Sequence, residues 1–347
     1  MAVQRITLGQ FANIYSSRGP NLAWFLGSGA SADAGIPTGD DMILDFKARL
    51  YCGATELPVR ELDTGDPLWE QRLNRYFDNS HDFPPTGSTD EYSVAFEAVY
   101  PDESDRRRYI EERVRRGRPS FAHRVLAALI ATRQLPAVFQ TNFDSLVEEA
   151  STALLDAMAS DDIPHLTVAA LDNADRAERC LRENGWPLLV KLHGDYESTA
   201  LMNTSLELRQ QDVRLRRVLI GATSRFGLVI VGYSGRDASV MDALREASEA
   251  QGAFPSGLFW VVRPRAQLLP AVQELLDESD ARGIQAHLVE SENFVELAGA
   301  IERQVRLPAP AASSVRASRP TQRVSPVSVP TTDGARFPLL RTSALPV

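Results

Sequence analysis

Two cysteines, Cys52 and Cys180, in 347 residues cannot supply a zinc site of the four-cysteine kind. Reduced thiols are the simplest reading of such a pair, which carries the expectation of a cytoplasmic protein. Basic residues are in deficit: the net charge is −9 and the isoelectric point near 5.2, which argues against general nucleic-acid binding by this chain alone. Long apolar runs are missing too. The longest, such as Val125 to Ala131 and Gly227 to Gly232, are far too short to span a membrane, so no membrane association is expected. The opening MAVQRITLGQ lacks an apolar stretch of signal-peptide length. No H-E-x-x-H spacing or other His/Cys cluster stands in the sequence, so no metal is expected. No internal repeat is visible.

What is present is ordinary for a folded chain: 44% hydrophobic and 24% charged residues, enough for one large domain or two modest ones. From Pro136 onward short apolar runs alternate with helical spacing. Strands are predicted at Pro136 to Gln140, Leu166 to Ala170, Leu188 to Leu192, Leu228 to Val231, Leu258 to Val262 and Ile284 to Val289. Helices are predicted at Leu146 to Met158, Leu206 to Ser224, Ala238 to Ala250, Leu268 to Glu278 and Phe294 to Val305. Alternation of this kind implies a parallel sheet covered on both faces, a Rossmann-like doubly wound α/β fold. Near the N-terminus, Thr7 caps a short helix to about Ser17, and Asp40 and Asp41 stand where a cap belongs ahead of a helix from Met42 to Tyr51. Residues 52–118 are broken by Pro58, Pro67, Pro84, Pro85 and Pro101 and read as an inserted, mostly helical subdomain. Its basic run, Arg106 to Arg118, reads as a solvated helix face, and His123 on the next helix as a packed or surface histidine. Residues 308–347, rich in Pro, Ser, Arg and Thr, read as a linker or disordered tail with one apolar island at Phe337 to Leu340.

The organising stretch is Leu22 to Gly39, LAWFLGSGASADAGIPTG. A five-residue apolar strand breaks into Gly27, Ser28, Gly29, Ala30 and Ser31. Small residues after a strand let backbone N–H groups approach a pyrophosphate. An ordinary strand-to-helix turn has the same look. A dinucleotide fingerprint would run on into a long helix, whereas Gly35-Ile36-Pro37 stops this one after about two turns, since the residue before proline leaves the helical region. Three further segments stand just past the carboxyl ends of predicted strands: Gln140-Thr141-Asn142-Phe143-Asp144, Leu192-His193-Gly194 and Val231-Gly232-Tyr233-Ser234. Ligands of open parallel sheets bind there, so one cofactor can touch all of them. Taken singly, Asn142 reads as a turn residue, Asp144 as a helix N-cap and His193 as a histidine satisfied at a strand end.

In this order the segments resemble the sirtuin family. GSGAS followed by GIP is similar to its opening, Gln140 to Asp144 to its T-Q-N-I-D segment, His193-Gly194 to its catalytic pair, and Gly232-Tyr233-Ser234 to its later G-T-S segment. The resemblance runs from about Leu22 to Val262. The wording of ASADAGIPTG, TNFD and GYSGRD is closer to bacterial sirtuin-like NADases of phage defence than to histone deacetylases.

The resemblance implies that residues 1–307 form an NAD-binding domain with NAD as substrate. It implies that Asn142 positions a water or ribose hydroxyl, that His193 acts as base, and that Asp144 contacts the nicotinamide carboxamide. The cofactor-binding set then comprises Gly27, Ser28, Gly29, Ala30, Ser31, Gly35, Ile36, Pro37, Gln140, Thr141, Asp144, Gly232, Tyr233 and Ser234. Two departures matter. Sirtuin deacylases follow G-I-P with Asp-Phe-Arg, where this chain has Thr38, Gly39 and Asp40, and their four-cysteine zinc module is missing. The first leaves the family's arginine without a match; the second weakens the deacylase reading and favours water as the nucleophile. The expected activity is NAD glycohydrolase, an effector that depletes NAD in anti-phage defence. The alternatives are a deacylase or ADP-ribosyltransferase, or a non-catalytic sensor of NAD or ADP-ribose. Control by assembly is expected, as a homo-oligomer or with a fused C-terminal sensor, a helicase or an Argonaute-type partner.

Overall fold

The structure, a computed structural model, describes residues 3–58, 64–158, 163–170, 173–193 and 213–317. The described strands form one eight-stranded sheet, entirely parallel: β1 (Gln4–Ile6), β2 (Leu22–Leu26), β3 (Ala137–Gln140), β4 (Thr167–Ala169), β5 (Leu188–Lys191), β6 (Gly227–Val231), β7 (Leu258–Val262) and β8 (Ala286–Glu290). Their order across the sheet is β1-β8-β7-β6-β2-β3-β5-β4. This is the Rossmann-like doubly wound α/β fold read from the alternation. Every residue of β2, β3, β5 and β6 is buried, because helices cover both faces.

Side chains of a strand alternate between faces. Trp24 and Leu26 of β2 therefore join Val138, Val229 and Phe259 in one core layer, under helices Leu8–Arg18, Phe121–Ala131, Leu146–Met158 and Phe294–Gln304. Ala23 and Phe25 join Phe139, Val190 and Ile230 in the other, under helices Ala174–Glu183, Val213–Thr223, Ala238–Glu249 and Pro270–Ala281.

The chain leaves β2 for β3 on one side and returns to β6 on the other, which opens a crevice past β2. The register fixes what lies in it. Leu26 pairs with Gln140 and with Val231, and Gln140 pairs with Lys191, so four strands end on one row. The ladder runs one step further through Gly27 N donating to Val231 O (2.9 Å), Thr141 N to Leu26 O (3.1 Å) and Leu192 N to Gln140 O (2.9 Å). The four sequence segments thus leave the sheet side by side.

Several boundaries differ from the sequence reading. The cap of helix Gly39–Thr55 is Thr38, in a capping box with Asp41, rather than Asp40 or Asp41. The short strand β1 and helix Ala174–Glu183 went unread; the latter is strongly polar in composition, with Ala174, Ala177 and Cys180 buried in the core and Leu181 packed against it. Helices Pro67–Asp78, Glu91–Val99 and Glu103–Val114 lie in the proline-interrupted region. They pack with Gly39–Thr55 around Phe46, Phe96, Tyr109 and Ile110, and further out around Tyr51, Leu73 and Phe77. The basic run there is not uniformly solvated: Arg106 is buried and donates to the carbonyls of Tyr100 (2.9 Å) and Pro101 (2.7 Å), closing the turn before its own helix.

The expected tail does not begin at residue 308. Ala309–Ala317 is a helix, and its Ala311 and Val315 are buried in the layer that holds Phe121–Ala131. The Phe337 to Leu340 island lies outside the described residues. Burial of Val315 alone is worth about 1.5–3 kcal/mol. Truncation after Leu307 is therefore expected to give a melting temperature several degrees below that of truncation after Ala317. Equal melting temperatures for the two truncations would show that this helix contributes nothing to the fold.

Candidate active site

The crevice holds a cleft of about 680 Å³, within the usual size for a small-molecule site. Ser28, Gly29, Ser31, Ile36, Pro37, Thr141, Asn142, Asp144, His193, Gly232, Tyr233 and Ser234 all line it. The structure thus brings Asn142 and His193 to one cavity. Gly27, Ala30, Gly35 and Gln140 do not line it; they lie behind it and shape it.

The glycine loop is a pair of 3₁₀ turns, Ser28–Ala30 and Ala32–Ala34, rather than two turns of α-helix. Gly35, at φ +86°, then redirects the chain into Ile36-Pro37, a conformation that suits glycine. Why residues 27 and 29 are glycine is plain from their surroundings. A Cβ on Gly27 would lie 2.5 Å from the carbonyl oxygen of Gly232, and one on Gly29 2.9 Å from its Cα. Gly232 itself stands at φ +65°, where a Cβ would collide with the backbone nitrogen of Ala30. The glycines let two loops touch. The N–H groups of Gly27, Gly29, Ala30 and Ser31 all donate within the protein, to Val231, Gly232, Gly27 and Ser28. The loop is thus held by its own turns and by Val231 and Gly232, and Ser28, Gly29 and Ser31 face the cleft.

Asn142 is fixed by this loop. Its amide nitrogen donates to Gly27 O (3.1 Å) and to Ser31 Oγ (2.9 Å). Gly27 O can only accept, so the amide orientation is determined. Ser31 Oγ in turn donates to Asp144 Oδ2 at 2.6 Å, and Asp144 Oδ1 accepts from Leu146 N at 3.2 Å. Gln140 Nε2 holds the carbonyl of Asp144 at 3.2 Å. Asp144 is therefore the anchor of a chain running Asp144 to Ser31 to Asn142. It also caps the start of helix Leu146–Met158. The other end of the chain is open: Asn142 Oδ1 is buried and has no hydrogen-bond partner.

His193 follows β5 and sits against Phe143, ring centroids 6.4 Å apart. Its Nε2 is 2.6 Å from Asp237 Oδ2. Asp237 caps helix Ala238–Glu249, its Oδ1 accepting from Ser239 N (2.9 Å) and Val240 N (3.2 Å). Its carbonyl accepts from Tyr233 OH at 3.2 Å. Burial pushes the Asp237 carboxyl up, but His193 and the two cap N–H groups outweigh this and hold it below the usual carboxylate range. Burial raises the Tyr233 hydroxyl well above its ordinary value, with Asp237 adding to the shift. Sequence reasoning missed Asp237, although it closes the GYSGRD segment immediately before a helical run, where a capping aspartate belongs. It also missed Arg236, whose guanidinium lines the cleft 2.6 Å from Asp40.

Beneath the cleft, Lys191 of β5 is fully buried and pairs with Glu148 at 2.8 Å, which explains the one charge in an otherwise apolar strand. His123 does not line the cleft; it is buried, with Nδ1 2.9 Å from Ser120 Oγ at its helix start. Burial lowers its pKa, against the opposing charges of Asp144 and Asp33. Among the described residues no group of three or more His, Cys, Asp or Glu is placed to hold a metal ion, and no helix is long and apolar enough to cross a membrane.

A family model described as a SIR2-like domain matches residues 136–286. That span runs from β3 into β8 and contains Asn142, His193 and Asp237. No curated protein matches the sequence. Similar solved structures include a Sir2 histidine-to-alanine variant with a deacetylated p53 peptide and 3′-O-acetyl ADP-ribose, at 15% identity and TM-score 0.41, covering 87% of this chain and 100% of that one. A Sir2 histidine-to-tyrosine variant with p53 peptide and NAD gives 15% and 0.41, covering 86% and 98%. A structure bearing on the mechanism and regulation of Sir2 enzymes gives 14% and 0.43, covering 90% and 98%. The fold assignment rests on the strand order, not on these superpositions.

Proposed function

We propose that the chain cleaves NAD at the bond between nicotinamide and ribose, with water as the acceptor. The observation that carries the reading is the Asn142 side chain. Its nitrogen is locked by Gly27 and Ser31, and its buried oxygen is left without a partner on the cleft it shares with His193. An unpaired buried acceptor costs about 1–3 kcal/mol, so its retention calls for a hydroxyl donor. A ribose hydroxyl or the attacking water supplies one.

Cleavage of an N-glycosidic bond passes through an oxocarbenium-like state at C1′, as in glycoside hydrolysis. Nicotinamide leaves as a neutral molecule with the bonding electron pair, so no strong acid is needed behind it. Water adds its oxygen to C1′ and loses a proton to His193, which passes it to solvent. The products are nicotinamide, ADP-ribose and one proton. Asn142 contributes position and His193 proton transfer. Asp144 supports Asn142 rather than the nicotinamide, since both its oxygens are engaged within the protein. The wording of the motifs favours a role as an NAD-depleting effector of anti-phage defence, controlled by assembly with itself or a sensor partner.

Incubation of the pure chain with NAD, with nicotinamide release followed by chromatography, tests the reading. Nicotinamide release without an acyl-lysine peptide is the expected result. Turnover only with an acetyl-lysine peptide would make it a deacylase, and saturable NAD binding without turnover a sensor. A graded prediction attaches to Ser31. Ser31→Ala removes the acceptor and donor between Asn142 and Asp144, and one such hydrogen bond is worth about 0.5–1.5 kcal/mol. A decrease in kcat of about three- to tenfold is expected; an unchanged kcat would mean that Gly27 alone holds Asn142.

A further inference from the structure

We infer that Asp237 is the positioning residue of His193, and that it commits the imidazole to presenting Nδ1, not Nε2, to the reacting atoms. This rests on the reading of His193 as the proton acceptor and specifies which nitrogen does the work. His193 Nε2 and Asp237 Oδ2 are both buried, approach to 2.6 Å and have no other polar partner among the described residues. A carboxylate has only acceptor sites for a neutral ring, so the ring proton resides on Nε2 and the lone pair on Nδ1.

Asp237 is itself immobilised. Its other oxygen takes two backbone N–H groups at the head of helix Ala238–Glu249, and its carbonyl takes the Tyr233 hydroxyl. It cannot swing away without uncapping that helix. Tyr233 belongs to the loop that presses on the glycine turn, with Gly29 N donating to Gly232 O at 2.9 Å. The loop that positions Asn142 and the loop that positions His193 are thus one packed unit. In the bond-breaking step the proton from water arrives at Nδ1, the positive charge spreads over the ring, and the carboxylate opposite Nε2 balances it without accepting the proton.

Asp237→Asn provides a sharp test because asparagine preserves the cap. Its oxygen still accepts from Ser239 and Val240, which turns its amide NH₂ toward His193. A donor facing Nε2 forces the ring proton onto Nδ1 and removes the lone pair from the working nitrogen. The measurement is two-dimensional ¹⁵N spectroscopy of the histidine rings in the full chain, at a pH where the ring is neutral, with His193→Gln to assign the signal. The wild-type protein is expected to show the Nε2–H pattern and Asp237→Asn the Nδ1–H pattern. The kcat for NAD cleavage in the variant is expected to fall roughly 10²–10⁴-fold, with KM shifted less than about threefold. An Nδ1–H wild-type ring, or the same pattern in both proteins, overturns the inference. So does an inverted pattern with kcat unchanged. If the wild-type protein cleaves no NAD, the glycohydrolase reading fails, and the ring pattern still decides whether Asp237 sets the tautomer.

Discussion

Alanine at Asn142 or at His193 is expected to lower NAD cleavage by roughly 10²–10⁴-fold, the span of a positioned acid–base or orienting group. The two losses should differ in form. Asn142 is tied to the glycine loop through Gly27 and Ser31. Truncating it leaves the acceptor at Gly27 and the hydroxyl of Ser31 without their donor, so part of the loss should appear as weaker NAD binding. His193 touches Asp237 and the ring of Phe143, and its removal leaves the glycine loop as it is. Its loss should fall on kcat alone. The measurement is steady-state nicotinamide release, with NAD binding followed separately by calorimetry. His193→Ala turning over within threefold of the wild-type rate, with folding verified by circular dichroism, would remove it from the mechanism.

The sheet was legible because both of its faces are covered. Strands buried on both sides are mostly apolar, so LAWFL, AVFQ, LLVK and GLVIV stand out from the polar helices between them. Edge elements were harder. Strand β1 is three residues long with two of them exposed, which leaves nothing for periodicity to detect. The site was legible for a related reason. A parallel sheet delivers the ends of its strands to one rim, and the residues that follow those ends are easily counted. What could not be counted was reach. Asp144 stands two residues beyond Asn142, yet its carboxylate turns back to Ser31 and Leu146 N. Asp237 stands far from His193 in sequence, and the fold closes the gap to 2.6 Å. Side-chain direction at a loop depends on the neighbouring loop, and that information is held in packing rather than in local pattern. The same is true of Gly27 and Gly29: in the sequence they read as room for a pyrophosphate, whereas in the structure the group packed against both is the backbone at Gly232.

The largest expected effect on stability lies in the helical region beside the cleft, at a residue that no motif marks. Lys47 is fully buried in helix Gly39–Thr55. Its ammonium lies 2.5 Å from Glu91 Oε1, 2.9 Å from Asn74 Oδ1 and 3.0 Å from Thr86 Oγ1, with the rings of Phe77 and Phe83 within 6 Å. Three donors meet three acceptors, and three separate segments of the helical region converge on one nitrogen. Glu91 in turn accepts from Gly87 N at 2.7 Å and stands 3.9 Å from Arg236, the neighbour of Asp237. Breaking a buried pair by removing one partner costs about 3–5 kcal/mol, since the remaining charge stays buried. Lys47→Met, which keeps most of the volume, is therefore expected to destabilise the protein by that amount, measured by denaturant unfolding. Adding Glu91→Gln should recover a large part of the loss, because it removes the stranded charge rather than restoring the pair. If the single variant unfolds within about 1 kcal/mol of wild type, a cost near that of an ordinary substitution, the pair does not hold this region together. If the double variant is no better than the single, the cost comes from lost packing around the lysine stem and not from the unpaired carboxylate.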